Sequence, residues 1–114
     1  MRTDKAAKLK IGYRDFTLRF LKKINKGDTL GLCTYPSKRV KCKGQISIAK
    51  GMDDAEKANT ILHEILHAIC YTQGLELPVA EEERVVNSLS NGLIAFIRDN
   101  PRFALQLLKL SLKK

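Results

Sequence analysis

Apolar residues alternate with polar ones in the first part of the chain and recur every three or four positions in the second, which predicts strands followed by helices. Leu9 and Ile11 alternate with lysines, Gly12 to Asp15 reads as a turn, and Phe16, Leu18 and Phe20 alternate with Thr17 and Arg19; this is a hairpin pattern. Phe16, Phe20 and Ile24 also recur at four-residue spacing, so a helix from Arg14 to Asn25 is the competing reading. Leu30 to Tyr35 and Gln45 to Ala49 read as two further strands around the basic segment PSKRVKCKG.

Three helices are expected after the strands. Asp53 followed by Glu56 reads as a capping box and Gly74 as a left-handed stop, which predicts a helix from about Asp54 to Gln73 with Ala58, Ile61, Leu62, Ile65, Ala68 and Ile69 as its core stripe. Pro78 opens a second helix from about Val79 to Asp99, and Asn100 caps a third from about Pro101 to Leu112. Phe103, Leu107, Leu108 and Leu110 of the third are expected to pack against the other helices as core. The fold class that follows is α+β, a small N-terminal sheet and then three helices.

Both histidines of the chain fall in one turn of the first helix, in the run HEILH at His63 to His67. Residues four apart stand one above the other on a helix face, so His63 and His67 can direct ring nitrogens at a single ion. A zinc ion with three protein ligands and one open position lowers the pKa of its water to about 7, and Glu64 is placed to accept that proton. The third ligand is sought in Glu81, Glu82 and Glu83 at the start of the second helix. Glu83 is preferred because Val86, Ser90, Leu93 and Ile97 share its side and the small Ser90 permits close approach; Glu82 is the runner-up. Asn87, one turn below Glu83, is a candidate to orient a ligating histidine. Cys70, one turn beyond His67, reads better as a small buried hydrophobe than as a ligand.

HEILHAI, with a glutamate sixteen residues past the second histidine in ERVVNSLS, resembles the gluzincin metallopeptidases, and more closely their small ImmA/IrrE-like and phage-encoded members. GQISIAKGMDDAEKANTILHEILHAI is similar to that group's strand, helix cap and zinc-binding helix, and RDNP at Arg98 to Pro101 is like the tail of phage versions. The resemblance covers roughly residues 45 to 101. It implies zinc held by His63, His67 and Glu83, Glu64 as general base, and the strand Gln45 to Ala49 as the sheet edge beside the active site.

Composition changes this picture little. At 114 residues with 44% hydrophobic content the chain suits one domain and one core, so a substrate cleft is shallow or completed by a partner. No run approaches eighteen apolar residues and MRTDKAAKLK lacks an apolar signal core, which predicts a soluble, intracellular protein; the resemblance implies the cytoplasm of a bacterial or phage-infected cell. Cys33, Cys42 and Cys70 are odd in number and lack CxxC spacing, which argues against a disulfide framework or a structural zinc knot. The net charge of +9, with clusters at both termini, at Lys22 to Lys26 and at Lys38 to Lys43, admits nucleic acid as a partner. With 6% aromatic residues there is little sign of a base-stacking surface, and solubility is the favoured explanation.

The expected function is therefore hydrolysis of a peptide bond in a protein substrate by Glu64-assisted attack of zinc-bound water, with Tyr35 and Tyr71 as candidate oxyanion stabilisers. The alternative is a non-enzymatic basic module that binds nucleic acid or protein and whose HEILH helix is structural or vestigial.

Overall fold

The structure, a computed structural model, describes residues 4–24, 27, 29–35 and 44–113. Among these, four strands precede three helices: β1 (Ala7–Ile11), β2 (Arg14–Leu21), β3 (Gly31–Thr34), β4 (Gly44–Ala49), α1 (Asp54–Thr72), α2 (Val79–Asp99) and α3 (Pro101–Ser111). The α+β expectation holds.

Alternation decides the hairpin against the helix. β1 and β2 pair antiparallel, with Leu9 opposite Phe16 and Ile11 opposite Arg14. Phe16 and Leu18 are both buried while Asp15 and Arg19 are exposed. A helix would have set Phe16 and Leu18 on nearly opposite sides.

The sheet order is β1-β2-β4-β3, with β4 parallel to β2 and antiparallel to β3. This corrects the expectation that Gln45 to Ala49 forms the edge beside the site. In β4, GQISIA, every residue but Gln45 is buried, and a strand buried on both faces belongs inside a sheet. The edge is β3, whose four residues alternate between half-buried and exposed.

Ile11, Phe16, Leu18, Ile46 and Ile48 form the sheet side of the core, and Ala68 of α1 closes it. The Asp53 side chain accepts from the Glu56 backbone N–H at 2.8 Å and caps α1, and Gly74 ends it at φ 69° with the Leu75 N–H donating to the Cys70 carbonyl. The face of α1 turned to the sheet is rotated from the expected stripe. Lys57, Glu64, Ala68 and Thr72 are buried with Ile61 and Ile65 beside them, whereas Ala58 and Ile69 are exposed. Lys57 is tolerated there because its ammonium meets the Asp4 carboxylate at 2.6 Å.

α2 packs on α1 through Val86 and Ser90, each 1% exposed. α3 departs from expectation: none of its residues is buried. It continues from α2 and touches it near the connection, so its leucines do not reach the core. Asn100 occupies the N-cap position of α3, but its side chain donates back to the Phe96 carbonyl of α2 instead of capping α3. Among the described residues no helix is long and apolar enough to cross a membrane. The basic cluster from Lys38 to Lys43, and Cys42 within it, lie outside the described residues.

Candidate metal centre

His63 and His67 project from one face of α1 with their Nε2 atoms 3.2 Å apart. Glu83, in the second turn of α2, reaches across to both: one carboxylate oxygen is 2.9 Å from His63 Nε2 and the other 2.8 Å from His67 Nε2. The three residues offer ligand atoms that all lie within 4.8 Å of one another, a group that could hold a metal ion. The close α1–α2 packing at Ser90 allows this approach, because a bulkier residue there would hold the helices apart.

Glu82 does something different. Its carboxylate meets His67 Nδ1 at 2.7 Å. A carboxylate accepts only, so His67 Nδ1 donates to it. A metal ion between the other ring nitrogen, His63 and Glu83 would be met by all three groups at once. Asn87, expected to orient a histidine, is exposed on the cleft wall, and the orienting bond on His67 comes from Glu82. Glu81 points away and pairs with Arg84 at the surface.

Glu64 sits on the sheet-facing side of the pair, 7% exposed, with one carboxylate oxygen 3.9 Å from His63 Nε2. Burial disfavours its charged form and pushes its pKa up to about 7; His67 pulls it down and Glu83 pushes it up, both by less. A carboxyl group that exchanges its proton near neutrality suits general base work.

The group opens into a cleft of about 650 Å³ whose walls come from β3, α1 and α2, within the usual size of ligand sites. Tyr35, just beyond β3, lines it; the hydroxyl donates to the His67 carbonyl at 3.5 Å and the ring stacks on Tyr71 at 4.5 Å. Of the two candidate tyrosines, the cleft wall contains Tyr35, and Tyr71 backs it. Cys33 also lines the cleft, but burial and the neighbouring Glu64 push its thiol up to about 12, so it stays protonated and inert. Cys70 is buried and free, as a small hydrophobe.

Sequence reasoning missed two features of the site, the Glu82 bond to His67 and the role of β3 as the cleft's edge strand. The adjacent glutamates carried a signal for the first, since neighbours on a helix point about 100° apart and can serve two different atoms of one ring. Comparison of the chain with protein-family models, with curated proteins and with solved structures finds no match.

Proposed function

We propose that this chain is a zinc-dependent endopeptidase of the gluzincin type, which hydrolyses a peptide bond in a protein substrate in the cytoplasm. The observation that carries the reading is the convergence of His63, His67 and Glu83 beside a buried glutamate, Glu64. Two nitrogens and one carboxylate form the donor set of a catalytic zinc site that keeps an open position.

Zinc bound there supplies Lewis-acid polarisation of a carbonyl and acidification of a water. The chain does the rest. Glu64 takes a proton from the attacking water on its carboxylate and passes it to the departing amine nitrogen. Glu82 holds the ring of His67 in one tautomer and one orientation. Tyr35 lines the cleft, and its hydroxyl would have to leave the His67 carbonyl to donate to a developing oxyanion. β3 is a sheet edge along the cleft among the described residues, and an extended substrate can add to it as a further strand.

Metal analysis with peptide hydrolysis tests the proposal. Purified protein is expected to carry about one zinc per chain, and His63→Ala or His67→Ala to lose it. Glu64→Gln is expected to keep the metal and lose hydrolysis of an unstructured protein substrate. Full zinc content in either histidine variant would refute the site, and undiminished turnover in Glu64→Gln would refute the mechanism.

A further inference from the structure

Charge is sorted between the two halves of the chain. Residues 1–52 hold 14 of the 21 lysines and arginines and 3 of the 12 acidic residues, so the strand half is strongly basic and the helical half is not. A charge kept for solubility needs no such sorting, whereas a basic half and an acidic half suit a polyanionic partner held on one side. The acids gather at the metal centre. Its cleft is lined by Glu64, Glu82 and Glu83 and, among the described residues, by no lysine or arginine.

The cations of the strands meet on one face of the sheet. α1 packs on the face that carries Phe16, Leu18, Ile46 and Ile48, and side chains alternate across a strand, so Lys8, Lys10, Thr17 and Arg19 stand on the other. Lys8 lies opposite Thr17, Thr17 beside Gln45 and Gln45 opposite Thr34, one row of polar side chains across all four strands. Arg19 stands in the next row, beside Ser47, and Lys10 in the row on the far side of Lys8, opposite Asp15. Alternate residues of a strand are about 6.8 Å apart and neighbouring strands about 4.8 Å, so Lys8, Lys10 and Arg19 form one patch. All three are exposed, and among the described residues none is in an ion pair. Arg19 is also held ready for an anion. Its Nε donates to Oγ of the buried Ser47 at 2.8 Å, which fixes the guanidinium and leaves its two terminal nitrogens for an oxyanion.

We infer that this face of the sheet binds the sugar-phosphate backbone of a nucleic acid without reading its bases. The neutral donors set among the cations, Thr17, Thr34 and Gln45, belong with lysine and arginine to the side chains that contact phosphate oxygens. Leu32 is the only exposed large apolar residue within the four strands, which leaves little to insert into a bilayer. No aromatic side chain of the strands is exposed for a base to stack on, so affinity comes from charge and is independent of sequence. The metal cleft lies on the α1 side of the sheet, so it stays open to a protein while nucleic acid occupies the other side. Binding at this face needs no metal.

Fluorescence anisotropy of the full chain in chelator, titrated onto labelled mixed-sequence single strands and duplexes of DNA and of RNA, tests the inference, and the four probes show which form fits. For the form bound, log affinity is expected to fall linearly with log salt between about 50 and 200 mM. Lys8→Gln, Lys10→Gln and Arg19→Gln together are expected to weaken binding at least roughly tenfold and to flatten that slope by about 2 to 3, close to one phosphate per cation. Lys8→Gln with Lys10→Gln keeps the Arg19 bond to Ser47 and should flatten it by about 2, with unchanged circular dichroism. Arg84→Gln, Arg102→Gln and Lys109→Gln remove the same charge from the helices and should bind as the wild type does. A wild-type chain that binds no probe at about 50 mM salt overturns the inference, as do wild-type affinity and slope in both sheet variants. An equal loss in the helix variant also overturns it, because net charge alone would then account for binding. Flotation with vesicles of phosphatidylglycerol and phosphatidylcholine is the last arm: tighter binding to vesicles than to any probe, lost in the sheet variants, overturns the inference and assigns the face to an anionic membrane.

Discussion

Gly31 of β3 lies directly against the Glu64 carboxylate of α1: a Cβ on Gly31 would stand 2.9 Å from Glu64 Oε2 and 2.9 Å from Thr60 Cγ2. The absence of a side chain at one position of the edge strand is what lets Glu64 remain buried beside His63. Gly31→Ala is expected to cost about 1–3 kcal/mol, the range for overpacking a filled site. In a Glu64→Ala background part of that cost should vanish, because the crowded carboxylate is gone while the Thr60 methyl stays. Thermal denaturation of the four members of this cycle measures the coupling, and strictly additive losses would show that Gly31 and Glu64 do not contend for the same space.

Glu64 also predicts a pH dependence in the metal-free protein. Its pKa is raised to about 7 in the fold from the ordinary carboxylate value of 4.5. Between those values the folded state holds a proton that the unfolded state has lost, so the stability difference favours folding at low pH and shrinks as pH rises through about 7. In chelator, the melting temperature should therefore fall between pH 5 and pH 8, and Glu64→Gln should flatten that fall. An unchanged slope in the variant would assign the titration to another group.

The two adjacent glutamates of α2 are expected to differ in kind. Glu83→Gln removes an anionic oxygen from the convergent group and should weaken zinc binding most. Glu82→Ala leaves all three ligand atoms in place but releases His67 Nδ1, and loss of such an orienting partner typically costs 10–100-fold in metal affinity. Glu81→Ala, which touches only Arg84 at the surface, should change affinity little. Zinc titrations of the three variants would exchange the roles of Glu82 and Glu83 if the larger loss falls on Glu82.

The buried Lys57 ammonium gives a fourth expectation. Asp4→Ala removes the carboxylate that the Lys57 ammonium meets at 2.6 Å, and a loss of about 1–3 kcal/mol is expected. Lys57→Met removes the charge while keeping an apolar stem of similar length, and should be near neutral. Equal and small effects in chemical denaturation would mean that the pair contributes nothing measurable.

Much of this architecture was readable because local chemistry and packing agree. The Asp53 cap, the Gly74 stop and the alternation of Phe16 and Leu18 are short-range signals, and each element they predict is present. The histidine pair was legible because helical spacing alone brings His63 and His67 together. What was not legible depends on neighbours distant in sequence. The core face of α1 includes Lys57, Glu64 and Thr72, polar residues that meet Asp4, the space left by Gly31 and the space left by Gly12, respectively. The apolar pattern of α3 predicted packing into the core, yet none of its residues is buried, because periodicity shows which residues are apolar and not what a helix meets in space. The edge position of β3 depends on strand order, which periodicity does not encode.

Among the described residues β3 pairs with β4 alone, so the cleft wall is held to the sheet through a single neighbour. By this connectivity, β3 can peel away while β1, β2 and β4 stay paired, which exposes Glu64 to solvent without global unfolding. In native-state hydrogen exchange the amides of Gly31 to Thr34 that pair with β4 should open at lower free energy than those of β2. The wall that keeps the glutamate dry is thus expected to open before the strands at the centre of the sheet.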